Sequence, residues 1–196
     1  KLSLRRAVFE MSDEIKISGE PQAIAAVCKF TVDRPIYNRR SFWFANKAAA
    51  ELSPLAKRLF DVPGISAVLV SHDSVTLTKA SPAPWQSVGA AIGAAIRAHV
   101  SSGEEAVAAS VHDSLPPAEE LKRRVEEVIR TEVAPSVASH GGSINVLDVK
   151  DNVVLLQMGG GCQGCSSATA TLKIGVEAAI RRAVPEIGDI IDTTDH

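Results

Sequence analysis

The chain has 196 residues, of which 45% are hydrophobic and 22% charged, and its formal net charge is −2. This composition is ordinary for a soluble globular protein, and the slight acidity argues against a general nucleic-acid binder. The longest weakly polar stretch, residues 87–100, contains Arg97 and His99 and is too short to cross a bilayer. Of the three cysteines, two lie only three positions apart, which does not suit a disulfide framework and indicates metal or redox chemistry.

The first part of the chain is predicted to form a small domain over residues 16–100, preceded by extra or disordered residues 1–15. Ser53 followed by Pro54 predicts the start of a helix, because Ser caps the first N–H groups and Pro fits the first helical position. Strict alternation of apolar and polar residues over 74–79 predicts one strand of a hairpin. The predicted elements of this domain are strands at 25–32, 41–45, 65–71 and 74–79, a helix starting after Ser53, and a helix over 85–100.

A second domain is predicted over residues 118–196, joined to the first by a flexible linker at 101–117. The linker is rich in Ser, Ala and acidic residues and ends in two prolines, a composition that buries little surface. We therefore expect the two domains to move independently. The predicted elements of the second domain are helices at 118–137 and 166–184 and strands at 143–149, 153–158 and 187–193. The expected fold class is α/β, with two small domains, each a short mixed or antiparallel sheet with helices packed on one face.

The most informative segment is the cysteine pair, Cys162 and Cys165, which follows three glycines and precedes a predicted helix. The positive end of a helix dipole lowers the pKa of a nearby thiol, and the thiolate is the species that binds metals. Neighbouring glycines let the backbone approach a bulky group and offer it N–H donors. The pair is therefore predicted to be functional rather than two inert thiols.

Three functions fit this pair from the residues alone. A thiol–disulfide oxidoreductase uses the same spacing, but its motif follows the first strand of a βαβ unit, whereas here a hairpin precedes the cysteines. A structural zinc site needs four ligands, and the sequence offers neither a second such pair nor a nearby pair of histidines. An iron–sulfur cluster also takes four thiolates, which two copies of Cys162 and Cys165 would supply across a two-fold axis.

The wider sequence separates these alternatives. Residues 125–192 contain a helix ending in His-Gly-Gly at 140–142, the segment GGGCQGCSSATATLKIGVE at 159–177, and VPEIGDI at 184–190. They resemble the C-terminal domain of the NifU-like (Nfu) family of iron–sulfur cluster scaffold and carrier proteins. Residues 53–79, SPLAKRLFDVPGISAVLVSHDSVTLTK, are similar to the N-terminal domain that is found fused to it.

The resemblance implies a carrier and not an enzyme. Cys162 and Cys165 fall on the family's cluster-binding pair, which implies a [4Fe-4S] cluster held between two subunits, with [2Fe-2S] left open. Implied partners are a second copy of the chain, an upstream cluster-assembly scaffold and client apo-proteins, with no nucleic acid and no membrane. The implied location is the cytoplasm for a bacterial protein, and the mitochondrial matrix or a plastid for a eukaryotic one.

Two other candidate ligands are interpreted as structural. Cys28 lies in a predicted strand, where a free cysteine usually behaves as a small buried apolar residue. His140 precedes Gly-Gly and is expected at a helix C-terminus, where it interacts well with the helix dipole. The first domain then contains no metal-binding pattern, and we expect it to recognise client proteins.

Overall fold

The computed structural model of the protein describes the backbone of residues 14–160 and 166–194 and the side chains of residues 14–160 and 172–194. The predicted segment 1–15 lies almost wholly outside these ranges. The strands are β1 Ile17–Pro21, β2 Val27–Val32, β3 Phe42–Phe44, β4 Ile65–Val70, β5 Ser74–Lys79, β6 Gly142–Lys150, β7 Val153–Gly160 and β8 Ile190–Asp192. The α-helices are α1 Pro54–Phe60, α2 Gln86–Ser102, α3 Ala109–Asp113, α4 Ala118–Val128, α5 Ala134–Ser139 and α6 Ser166–Ala183.

Residues 14–113, which we call the N-terminal unit, contain a five-stranded antiparallel sheet in the order β1-β2-β5-β4-β3. β4 and β5 form the predicted hairpin. The Ser53 hydroxyl accepts a hydrogen bond from the Ala56 N–H at 3.1 Å, which confirms the predicted cap of α1. The largest fully buried side chains of this core come from α1, α2 and the central strands: Leu55, Leu59, Val68, Val70, Val75, Leu77, Ile92 and Ile96.

Part of the segment predicted as a linker packs against this core. Ala106, Val107 and Val111 are buried in it, and α3 lies within the same segment. The Ser53 hydroxyl donates to the Ala106 carbonyl at 2.6 Å, so the residue that caps α1 also holds the returning chain. The structure differs here from the prediction of a free linker, because a few apolar side chains in a polar sequence find a place in the adjacent core.

Residues 118–194, which we call the C-terminal unit, contain a three-stranded mixed sheet in the order β6-β7-β8. β6 and β7 form the predicted antiparallel hairpin, and β8 pairs with β7 in parallel. The predicted helix 118–137 is divided into α4, a π-helical segment Ile129–Val133 and α5, with Pro135 in the first turn of α5, as its kink-forming geometry predicts. The mixed and antiparallel sheets with their packed helices confirm the predicted fold class.

The helices of the C-terminal unit pack on one side of its sheet and leave the other side more exposed. Inward-facing side chains come from α4, α6 and alternate positions of the strands: Leu121, Val125, Ile144, Val154, Leu156, Val176 and Ile180. Alternation along β7 places Val154, Leu156 and Met158 in this core. Among the described residues, every helix is too short or too polar to cross a membrane.

Candidate metal centre

The two cysteines predicted as ligands, Cys162 and Cys165, lie outside the described residues, in the five-residue connection between β7 and α6. The structure fixes both ends of this connection, at Gly160 and at Ser166. α6 has 18 residues, so its unpaired N–H groups and the positive end of its dipole stand where the connection ends. The predicted helix after the cysteines is therefore confirmed, while the assignment of the ligands stays a prediction.

Glycines at the base of the connection allow two backbone segments to approach closely. Gly142 pairs with Gly160 at the end of the hairpin, and both Gly141 and Gly160 adopt left-handed backbone, with φ of 72° and 71°. A Cβ on Gly160 would lie 2.5 Å from the Gly141 carbonyl oxygen and 3.3 Å from the Gly142 Cα. The glycine run is predicted from the sequence to accommodate a bulky bound group, but Gly160 is already required by the close approach of Gly141 and Gly142 in its own sheet.

On the edge away from β6, strand β7 is held by the two residues that follow β8. Thr194 Oγ1 accepts a hydrogen bond from the Met158 N–H at 2.8 Å, and the Thr193 N–H donates to the Leu156 carbonyl at 2.8 Å. These bonds extend the parallel pairing of β8 with β7 beyond Asp192, towards the cysteine end of the strand. No periodic or compositional pattern indicated this pairing, because it depends on a parallel contact between distant segments.

The acidic residue of the glycine-rich motif lies on α6, well beyond the first turns of that helix. Glu177 is 11 positions after Ser166, roughly 16 Å along a helix. Burial raises the pKa of the Glu177 carboxyl, and the nearby positive charges of Arg181 and Lys173 oppose that rise. This part of the motif therefore belongs to the packing of α6 and supports the helix rather than the ligand set.

The two residues interpreted as structural have the predicted positions. Cys28 on β2 is 2% exposed and is a free cysteine in the first core, and burial, assisted by the charge of Glu20, raises the pKa of its thiol. His140 is the C-cap of α5. Across the described part of the chain, no group of three or more His, Cys, Asp or Glu side chains is arranged to hold a metal ion. The structure therefore offers no competing site within those residues.

The connection that carries the cysteines lies between the first strand and the helix of a βαβ unit. β7 leads into α6, and α6 returns to β8, which pairs with β7 in parallel through Val154 with Ile190 and Leu156 with Asp192. The prediction that the pair stands beside a hairpin and outside a βαβ unit, which disfavoured an oxidoreductase, is therefore wrong. The same strand belongs to a hairpin and to a βαβ unit, and topology leaves both functions open.

Comparison with known proteins decides the family. A family model described as "NifU-like domain" matches residues 125–191, and one described as "Scaffold protein Nfu/NifU N terminal" matches residues 17–103. The chain belongs to the Nfu family. Both matched regions of this Nfu chain agree with the resemblance found in its sequence, including the N-terminal domain.

Several known proteins are similar to this Nfu chain. It is 32% identical over 156 residues to "NFU1 iron-sulfur cluster scaffold homolog, mitochondrial" of Drosophila persimilis, covering 78% of the chain and 55% of that relative. It is 41% identical over 80 residues to "Fe/S biogenesis protein NfuA" of Pseudomonas syringae pv. syringae, covering 39% of the chain and 41% of the relative. A solution structure of a NifU-like protein from Saccharomyces cerevisiae shares 19% identity with a TM-score of 0.44, covering 50% of this chain and 91% of that one. The chain spans about half the length of the curated relatives it matches.

Proposed function

We propose that this chain is an iron–sulfur cluster carrier that binds its cargo through Cys162 and Cys165, shares it with a second copy of itself, and passes it to apo-proteins. The proposal depends mainly on one coincidence: the cysteine pair falls in the β7–α6 connection of the region that matches the NifU-like domain. The names of two relatives, an iron–sulfur cluster scaffold homolog and an Fe/S biogenesis protein, support the same cargo. In this proposal the chain is a carrier and not an enzyme.

The proposal fixes a stoichiometry. A [4Fe-4S] cluster takes four thiolates and each chain supplies two, so cargo binding joins two chains and gives about two iron atoms per chain. A [2Fe-2S] cluster takes the same four thiolates and gives about one iron atom per chain. Measured iron content therefore distinguishes the two cluster types, and in both cases loading with cargo drives dimerisation.

Transfer proceeds by exchange of thiolate ligands. Two cysteines from each chain hold the cargo, and the positive end of α6 stabilises them as thiolates, both before loading and after release. Thiolates of a client replace them one at a time, and the upstream scaffold loads the carrier by the same exchange in reverse. No electron is transferred in the exchange, and each Cys leaves as the thiolate that it was when it bound.

Anaerobic reconstitution with iron and sulfide tests the proposal. We expect a brown protein, about two iron atoms per chain, and conversion to a dimer in size-exclusion chromatography. Cys162→Ser and Cys165→Ser should each abolish stable binding, because only two thiolates then remain in a dimer. Cys28→Ala is the matched control, and its spectrum should equal that of the wild type. The ligand assignment fails if Cys28→Ala loses the cluster while Cys162→Ser retains it.

The βαβ setting of the cysteine pair favours one second candidate, a dithiol–disulfide oxidoreductase. Such a protein is colourless after reconstitution and catalyses the reduction of insulin disulfides by a small thiol, and Cys162→Ser removes that activity. Catalysed reduction by a protein that takes up no iron would replace the carrier proposal with this one.

We further propose that the chain is divided into domains at 16–100 and 118–196. The two hydrophobic cores support the division, since the first ends at Val111 and the second begins at Leu121. In this proposal the linker is shorter than its composition indicates, because residues up to Asp113 return to the first core.

The proposed cellular location of the protein depends on its source: the cytoplasm in a bacterium, and the mitochondrial matrix or a plastid in a eukaryote. Organelle fractionation checks the second case.

A further inference from the structure

The N-terminal and C-terminal units meet at Ser41, the residue before β3. Ser41 is 1% exposed. Its carbonyl oxygen accepts a hydrogen bond from Asn152 Nδ2 at 2.7 Å, and its hydroxyl oxygen accepts one from the Asp189 N–H at 2.7 Å. Asn152 lies in the β6–β7 turn and Asp189 lies just before β8. Two separate segments of the C-terminal unit therefore converge on a single residue of the N-terminal unit.

Polar and charged groups surround this central contact. Three further pairs join the two units: a hydrogen bond from the Ser71 hydroxyl to the Asp189 carboxylate at 3.1 Å, an ion pair of Arg40 with Asp151, and the Arg181 guanidinium at 5.0 Å from the centroid of the Trp43 ring. The last of these has the geometry of a cation–π interaction. The contact is thus specific in its pairing of polar and charged groups.

One polar atom at the contact is left without a partner. Asn152 is fully buried, and its Oδ1 accepts no hydrogen bond from the described residues, although its Nδ2 donates to Ser41 and, at 3.2 Å, to the Glu186 carbonyl. A buried acceptor without a donor costs free energy that water would recover if the units separated. The direct hydrogen bonds of Ser41 would also be replaced by bonds to water. Both effects lower the free energy needed to separate the two units, so an interface of this kind is easy to open.

We propose that the contact at Ser41 is a reversible interdomain latch. In the cargo-free chain the two units dock through Ser41, Asn152 and Asp189 and tumble as one body, and on opening they move separately on residues 114–117. This replaces the expectation of two independently moving domains with an equilibrium between a docked and an open form. The latch involves neither cysteine of the pair, so its test is independent of cluster binding.

Gly188 offers a substitution aimed at the latch alone. A Cβ on Gly188 would lie 2.5 Å from the Ser41 carbonyl oxygen and 2.8 Å from its carbonyl carbon, and the three atoms nearest to it all belong to Ser41. The φ of Gly188 is outside the left-handed region, so its own backbone accepts alanine. Gly188→Ala should therefore push the units apart without straining the C-terminal unit. Gly175→Ala is the matched control, because, beyond the backbone of its own helix, a Cβ there has no atom of another described residue within 4 Å.

Backbone ¹⁵N relaxation of the full, cargo-free chain measures the latch. In the wild type and in Gly175→Ala, we expect one rotational correlation time for both units. In Gly188→Ala, this common value should be lost and replaced by two shorter values, one for each unit. Ser71→Ala, which removes only the bond to Asp189, should shift the values part of the way. Two separate correlation times in the wild type, or a common value that survives Gly188→Ala, would overturn the proposal.

Discussion

Substitution of Gly160 by alanine tests the close approach of backbone at the base of the cysteine connection. The new Cβ would meet the Gly141 carbonyl oxygen at 2.5 Å, and backbone atoms cannot turn aside as a side chain can. The left-handed conformation of Gly160 adds a cost of about 1–2 kcal/mol for a residue that has a Cβ. With the shift of the strand end that relieves the contact, we expect a loss of about 2–4 kcal/mol.

Urea unfolding of the cargo-free protein, followed by far-ultraviolet circular dichroism, measures this loss. A slope of about 2 kcal/mol per molar urea, the middle of the range usual for small proteins, converts it to a fall in midpoint of about 1–2 M for the C-terminal unit. Tryptophan fluorescence in a Trp43→Phe background serves as an internal reference, because the remaining tryptophan, Trp85, is buried in the N-terminal unit, whereas Trp43 contacts Arg181 of the C-terminal unit. The Trp85 transition should move much less than the circular dichroism signal.

The control for this prediction is again Gly175→Ala. Alanine in an exposed helix interior is better than glycine by about 0.5–1 kcal/mol, so the midpoint should rise slightly. An unchanged midpoint for Gly160→Ala would show that Gly141 and Gly160 are not in close contact, and a steric role for Gly160 would then be refuted. Reconstituted Gly160→Ala should also lose its iron faster than the wild type, since the cysteines begin two positions further along the chain.

Two further predictions concern the C-terminal unit. Burial raises the pKa of the Glu186 carboxyl, but hydrogen bonds from Arg124 at 2.8 and 3.2 Å outweigh it and hold that pKa below its usual value. The Arg124–Glu186 ion pair therefore stabilises the fold fully above the ordinary Glu pKa of about 4.3, and it ceases to do so as pH falls through the lowered pKa of Glu186. Glu186→Gln should cost about 1 kcal/mol of stability at pH 7. The same change should make acid unfolding, followed by circular dichroism, less steep. Leu121→Ala should cost about 2–5 kcal/mol in urea because the side chain is fully buried, whereas Leu147→Ala, at 46% exposed, should change stability by less than about 0.5 kcal/mol. Equal effects of the two leucine changes would contradict the assigned core.

Local patterns in the sequence predicted most elements of the fold. Ser53 and Pro54 located the start of α1, strict alternation located β5, and the run after Cys165 located α6. Each of these depends on residues that are neighbours in the chain, which is where capping and periodicity act. β1 was missed, because Ile17–Pro21 has a single apolar side chain and lies at the edge of the sheet with four exposed positions.

Contacts between residues far apart in the chain explain where the structure differs from the sequence predictions. The burial of Val107 and Val111 requires the first core to be in place, so the local composition indicated only a linker. The parallel pairing of β8 with β7 brings Ile190 to Val154 across α6, and no neighbouring residues report it. The cysteine pair itself was found from spacing and glycine content, whereas the reason for Gly160 required the position of Gly141 on the adjacent segment.

The length of β7 separates the turn where the two units dock from the connection that carries the cysteines. Its first residue follows the turn that contains Asn152, where the N-terminal unit docks, and its last residue leads into the cysteines. Eight residues at about 3.4 Å each span roughly 25 Å, and α6 runs the same distance back to Arg181. The residues through which the units dock consequently lie a full sheet length away from the end of β7 that leads into the cysteines. In the proposed transfer, a client reaches the cargo without waiting for the chain to open, so the rate of transfer and the rate of domain opening are free to differ.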